Sequence, residues 1–289
     1  MQYLLKVATM LMLAASAALA AAASPAPDSE RLASVLQAQP AERQARYSSR
    51  HPQETLEFFG IAPGMTVVEV LPGGGWYSPI LIAYLGDEGH LIGADYPMAL
   101  WKNFSFATDE FLAGRDAWLT SWPQKTIEWR GDDGASAEAV RLGSMPEDVA
   151  GTVDAVLFIR ALHNLSRFES KGGFRTMALA DAYTVLKPGG VVGVVQHQAP
   201  AGRSDDWADG SRGYLNRDTL LGQFEAAGFE FVGESDVNQN PKDIPGEDEI
   251  VWRLPPGLQT SRDDPELKAK YQAIGESNRM TLLFRKPAR

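Results

Sequence analysis

Val67-Val68-Glu69-Val70-Leu71-Pro72-Gly73-Gly74-Gly75-Trp76-Tyr77 is the stretch that decides the fold: an apolar strand with an acid near its end, a triple glycine, then the opening of a helix. Glycines at a strand-to-helix turn take φ > 0 without strain and let the backbone approach a ligand, and the helix that follows offers free N–H groups. An adenosine-bearing cofactor fits such a turn. Asp95 stands 20 residues beyond Gly75, at the end of a second apolar run, His90-Leu91-Ile92-Gly93-Ala94-Asp95. An acid at that point can grip a ribose diol.

Gly73-x-Gly75 alone is a weak sign, because glycine clusters at turns are more often only turns. The run also reads Gly73-x-Gly75-x-x-Ser78, close to a dinucleotide fingerprint. Hydride transfer and methyl transfer therefore compete at this point, and the decision must come from elsewhere in the chain.

With 289 residues and 44% apolar content, the chain can bury the core of one large α/β domain. The first 23 residues carry Lys6, an apolar stretch from Val7 onward, and small residues at Ala18-x-Ala20 or Ala21-Ala22-Ala23 suited to cleavage. They read as a signal peptide, which implies a periplasmic or secreted protein. The competing reading is an uncleaved anchor, since Val7 to Ala23 approaches a short membrane span. Alanine richness and the small-residue ending favour cleavage, and hence no stable membrane insertion. There is no cysteine, so disulfides, thiolate metal sites and sulfur nucleophiles are excluded. A net charge of -10 and the lack of any Lys/Arg run argue against a nucleic-acid partner and leave a small molecule. No His-x-x-x-His pair or His/carboxylate cluster has ligand spacing, so no metal is expected.

Residues 24–50 read as a linker and a polar N-terminal helical segment, and residues 51–289 as the main domain, with a polar insertion around 238–276. Pro52 suits the first turn of a helix through Phe59, stopped by Gly60. Strands are expected at 66–71, 91–94, about 139–142, 153–159, 191–195, 229–232 and 280–284. Ser78-Pro79 reads as a cap and first-turn pair for the helix after the glycines. Trp101 to Trp129 is expected to be helical in part, and apolar residues at helical spacing mark helices over 174–185 and 220–227. Alternating strands and helices predict a doubly wound, Rossmann-like α/β fold whose mostly parallel seven-stranded sheet has an antiparallel last strand.

The order of these signals resembles the class I S-adenosylmethionine-dependent methyltransferases. The strand-end acid, glycine turn, second-strand acid and the turn Leu186-Lys187-Pro188-Gly189-Gly190 before strand five follow that superfamily's order. The last turn settles the contest against nicotinamide enzymes. More narrowly, the chain resembles a bacterial group of exported predicted methyltransferases. That likeness rests on Arg50-His51-Pro52-Gln53-Glu54, Pro72 to Tyr77, Arg160-Ala161-Leu162-His163-Asn164, Gly213-Tyr214-Leu215, Asn240-Pro241-Lys242-Asp243, Trp252 to Pro256 and Gly275 to Met280. One departure stands out: Leu71 occupies a place where the superfamily pattern has glycine.

The resemblance implies S-adenosylmethionine as cofactor. Glu69 would orient its methionine end, Gly73, Gly74 and Gly75 would allow close approach, Asp95 would accept from the ribose hydroxyls, and Ser144 with Met145 would border the adenine. The plainer alternatives are a Glu69 paired with Arg160 and an Asp95 that is an ordinary turn aspartate. Ligands in open α/β sheets lie beyond the carboxyl ends of the strands, where His163 follows strand four and His197 follows strand five. A single histidine is more often a satisfied structural residue; two at adjacent strand ends point to function. His163, with Asn164 positioning, is the candidate contact or base for the acceptor. Trp76 and Tyr77 either wall the ligand or pack on a helix, and Tyr214 is either an acceptor contact or an interior residue. The first reading is methyl transfer to a small-molecule acceptor. The alternatives are an inactive methyltransferase fold that binds a small ligand in the periplasm and, behind it, a nicotinamide oxidoreductase.

Overall fold

Each apolar run bounded by turn residues forms a strand in the computed structural model, which describes residues 26–288. The strands are β1 Thr66–Val70, β2 His90–Asp95, β3 Ser136–Arg141, β4 Val153–Ile159, β5 Leu186–His197, β6 Glu230–Ser235 and β7 Arg279–Arg285. They form one sheet in the order β3-β2-β1-β4-β5-β7-β6. Pairing is parallel from β3 through β5 and antiparallel for β7 against both β5 and β6. The expected doubly wound sheet with a reversed last strand is the sheet observed. The third strand starts three residues earlier than the apolar run at 139–142 suggests, because backbone pairing with β2 carries it through Ser136 and Glu138. The expected signal peptide lies outside the described residues. Among those described, no helix is long and apolar enough to cross a membrane.

Both faces of the sheet are covered, which explains why its central strands read as unbroken apolar runs rather than alternating ones. Successive residues of β4 serve opposite cores: Val156 and Phe158 face one, Ala155 and Leu157 the other. The same holds for Val68 and Val67 of β1. The helix Ser78–Leu85, almost wholly buried, lies between Ser29–Gln37 and the long Asp109–Arg130 helix. Ser29–Gln37 is polar on most of its surface, yet Leu32 and Leu36, one turn apart, reach the core beside Leu56 and Phe59.

Residues 238–276 hold little apolar material and are fastened by polar groups instead. Asp243 and Arg253, both almost fully buried, pair at 2.7 Å. The Tyr214 hydroxyl donates to Asp243 at 3.0 Å and accepts from Arg253 Nη1 at 2.7 Å. Asn278 N donates to Asp243 Oδ2 at 2.9 Å, so the carboxylate is well satisfied. Tyr214 is thus an interior residue. Its place behind the site fixes the segment that carries Trp252.

Leu32 decides whether the N-terminal helix belongs to the folding unit. Leu32→Ala should lower the unfolding free energy by roughly 2–5 kcal/mol in urea denaturation, the range for a buried leucine that leaves a cavity. A loss near zero would show that helix to be a detachable appendage.

Candidate functional site

β1 runs on to β2 on one side while β4 lies on its other side, so the strand order reverses between β1 and β4. Loops leaving the two strands diverge there and open a cleft at their carboxyl ends. The cleft measures about 570 Å³ and is lined by Leu71 to Trp76 after β1, by Ile159, Arg160, His163 and Asn164 around the end of β4, by His197 at the end of β5, and by Trp252. Glu42, Arg43, Arg46 and Arg50, from the N-terminal helical segment, complete the wall.

Glu69 sits beneath the glycine turn, buried, and its Oε2 accepts a hydrogen bond from Ser78 Oγ at 2.6 Å. Two expectations are corrected by this bond. Glu69 is not paired with Arg160, and Ser78 does not cap its helix but is its first residue, the helix having no side-chain cap. The buried hydroxyl finds a carboxylate directly below it, a stronger partner than a helix N–H. Burial pushes the Glu69 carboxyl up to about 7, against the lowering effect of Ser78.

The turn itself is strained where glycine is missing. Leu71 has φ 54° and Arg160 φ 58°, left-handed values for residues with side chains. Each costs on the order of 1 kcal/mol or more, and both flank the cleft. Gly73, at φ 59°, and Gly74 leave open space: a Cβ on Gly74 would meet nothing within 4 Å, and on Gly73 only Leu71 O at 3.8 Å. Gly75 differs, since a Cβ there would come 2.5 Å from the Trp129 ring. Gly73 and Gly74 leave room for a ligand, and Gly75 makes room for a tryptophan.

Asp95 is fully buried at the end of β2. Its Oδ2 pairs with Arg115 at 2.5 Å and Arg141 at 3.8 Å and accepts from Trp101 Nε1 at 3.1 Å. Its Oδ1 is buried with no partner. Arg115 also lies 4.7 Å over the Trp101 ring. Neither Asp95 nor Ser144 lines the cleft; Ser144 is exposed beyond β3.

His163 and His197 come together, ring centroids 5.6 Å apart, with Trp252 5.7 Å from His163. His197 Nδ1 lies 2.6 Å from Ser277 Oγ, while His163 Nδ1 and Asn164 Oδ1 are buried without partners. Burial, with Arg160 and Arg167 adding to it, lowers His163 to about 4 despite the opposing pull of Gln196. His197 is held well below its ordinary value by burial, then by His163 and Arg160. Both rings are neutral at physiological pH. Trp76 lines the cleft with the Arg50 guanidinium 4.4 Å over its ring, and Tyr77 is buried, its hydroxyl donating to Arg50 O at 3.4 Å.

Apart from Arg160 as an alternative partner for Glu69, sequence reasoning named no role for the arginines. Arg46 and Arg50 both contact Glu276, as does Arg279 at 3.2 Å. Arg160 lines the cleft and, among the described residues, its guanidinium has no ion-pair or hydrogen-bond partner. Burial first and Arg160 second lower Arg50 to about 9, although Glu276 raises it. Arg160 is lowered to about 10 by burial and then by Arg279. Arg50, Arg160 and Arg279 stood inside quoted motifs and Arg46 did not, but Arg50 and Glu276 are 226 residues apart. No local spacing signals such a cluster.

The residues present fit a nucleoside cofactor at one point, the open space over Gly73 and Gly74; the unpartnered Asp95 Oδ1 is buried and does not line the cleft. Asp95 Oδ2 is already engaged.

No protein-family model matches the chain, and no curated protein matches it. Solved structures do resemble it. The [4+2]-cyclase SpnF aligns over 92% of this chain and 98% of its own at 18% identity, with a TM-score of 0.50. A SAM-dependent methyltransferase from Aquifex aeolicus aligns over 73% and 93% at 18% identity, TM-score 0.47. Geranyl diphosphate methyltransferase in complex with SAM aligns over 91% and 96% at 15% identity, TM-score 0.47. At these identities the likeness speaks to fold alone. The chain has a Rossmann-like α/β fold of the methyltransferase type, and that fold also carries a protein named as a cyclase.

A carboxyl raised by the fold is favoured in its protonated form. Its stabilisation is full below its ordinary 4.5 and is lost as pH rises through about 7. The lowered histidines work in the opposite direction below pH 6.5, so Glu69 must be isolated by substitution. Between pH 5 and pH 8, Glu69→Gln should gain roughly 2 kcal/mol of unfolding free energy relative to the unsubstituted chain. Urea titrations at the two pH values check this.

Proposed function

We propose that the chain is an S-adenosylmethionine-dependent methyltransferase acting on a small-molecule acceptor. One observation carries the reading: an open glycine turn after β1 and two neutral histidines after β4 and β5 converge on one cleft at the switch point of the sheet. A cofactor-binding turn and an acceptor-facing group must share such a cleft for transfer to occur in line.

Each residue has a task in this reading. The backbone at Gly73 and Gly74 cradles the methionine end of the cofactor, with Glu69 below the turn fixing it through Ser78. Asp95 Oδ1, unpartnered but buried outside the cleft, reaches a ribose hydroxyl only once the segment after β2 moves aside. When bound, S-adenosylmethionine supplies a methyl group on a positively charged sulfur. Transfer then depends on alignment, with a base only where the acceptor must lose a proton. His163, neutral at working pH, is the group that receives that proton, and Asn164 orients the acceptor. Ser277 holds the His197 ring. We further propose that residues 1–23 direct the protein to the periplasm or beyond, and that it belongs with exported bacterial methyltransferases.

A second reading has an observation of its own. Arg115 occupies Asp95 Oδ2, and guanidiniums line a cleft that would have to admit a cationic sulfur. Both favour a methyltransferase fold that binds a small ligand without transferring a methyl group.

Calorimetric titration with S-adenosylhomocysteine separates the two. Heat with a micromolar Kd supports the enzyme; no heat from a chain that still melts cooperatively selects the binding protein. Incubation with S-adenosylmethionine labelled in its methyl group, together with a metabolite extract, should move label into the small-molecule fraction. His163→Asn should cut that rate by about a hundredfold or more, and an unchanged rate would remove His163 from the chemistry.

A further inference from the structure

The cleft carries more positive charge than the fold itself balances. Arg43, Arg46, Arg50 and Arg160 line it, and Arg279 lies behind Arg46 and Arg50 on the same Glu276 carboxylate. Against these five guanidiniums stand Glu276 and, on the lining, Glu42. Glu69, beneath the turn, is bonded to Ser78 and contacts none of them. The whole chain is acidic at -10, so this concentration runs against its composition.

Arg160 is the sharpest part of the anomaly. It is held at φ 58°, at the end of β4, and its guanidinium has no partner among the described residues. Arg279 and Arg46 repel it while Glu276, shared with three other arginines, attracts it, and both it and Arg50 are lowered from the ordinary arginine value. A strained backbone that aims an unpartnered cation into a cleft is a feature that persists at ligand sites. Arg160 is half-buried and open to the cleft, the guanidiniums behind it share a single carboxylate, and the planar fork of each matches carboxylate and phosphate oxygens.

We propose that the cleft binds a small molecule bearing at least two negative charges, its carboxylate or phosphate groups held by Arg160 together with Arg46 and Arg50. That this anion is the methyl acceptor rests on the methyltransferase reading; the anion site does not. The cofactor cannot supply the missing charge. Its one carboxylate is offset by its ammonium group and its sulfonium, leaving it net cationic. The acceptor must therefore bring the anions, which lie beside the His163 and His197 pair at the same cleft.

Pyrophosphate and citrate, titrated calorimetrically into the full chain at low ionic strength, are the probes. Binding of either is expected, and a preference for one tells phosphate from carboxylate. Arg160→Gln should weaken it by about tenfold or more while leaving the melting temperature nearly unchanged, because the fold gives that guanidinium no partner. Arg203→Gln, at an exposed pair with Glu247, should bind as the unsubstituted chain does. No heat from either anion, or full binding by Arg160→Gln, would overturn the proposal. S-adenosylhomocysteine titrated into the same sample keeps the two ideas apart. Its binding without anion binding sinks the anion site and spares the enzyme. Anion binding without it does the reverse.

Discussion

One carboxylate, Glu276, ties the two ends of the chain together. Arg46 and Arg50 come from the N-terminal helices and Arg279 from the start of β7, and all three converge on it. Burial pushes Glu276 upward, yet Arg50, Arg279 and Arg46 outweigh burial and hold it below the usual carboxylate range. Without it three largely buried guanidiniums would face one another, an arrangement that typically costs 3–5 kcal/mol when one partner is removed. Arg50 in turn lies over Trp76. The N-terminal segment is thereby fixed as a wall of the cleft.

From this constraint the site follows. The parallel sheet opens a gap wherever its strand order reverses, and any chain of this topology has that gap. What distinguishes this chain is the lining of the gap: an uncapped helix whose serine serves Glu69, a leucine and an arginine strained at the two strand ends, and guanidiniums imported from a segment before the sheet begins. Two opposed features result. The open glycine turn suits a nucleoside, and the guanidinium wall suits an anion. A ligand pair of opposite charge reconciles them.

Much of the architecture could be read from residue patterns, because burial on both faces of β1 and β4 writes continuous apolar runs and because Pro188 and its glycines stop the preceding helix at Val185, although Leu186 to Gly190, expected as a turn, opens β5 instead. The elements least visible were those held by pairing or polar contacts. β3 has only one buried residue, Val140, and its start was misplaced. At the site, the glycines and both histidines were legible as strand-end residues. Glu69's partner was not, since a serine nine positions on looks like a cap until the strand brings it above the acid. Arg115 and Glu276 were invisible for a plainer reason. They reach Asp95 and Arg50 across 20 and 226 residues, and helical or strand periodicity says nothing at that range.

Uncompensated positive charge in the cleft is the claim on which the pairing of two oppositely charged ligands stands, and a comparison of sulfonium with neutral thioether tests it most directly. The affinities of S-adenosylmethionine and S-adenosylhomocysteine should each be measured with and without saturating pyrophosphate or citrate. The account predicts that the anion tightens binding of the sulfonium form well beyond any change for the thioether, since coupling between bound charges is reciprocal. Equal changes for both, or no change for either, would contradict it.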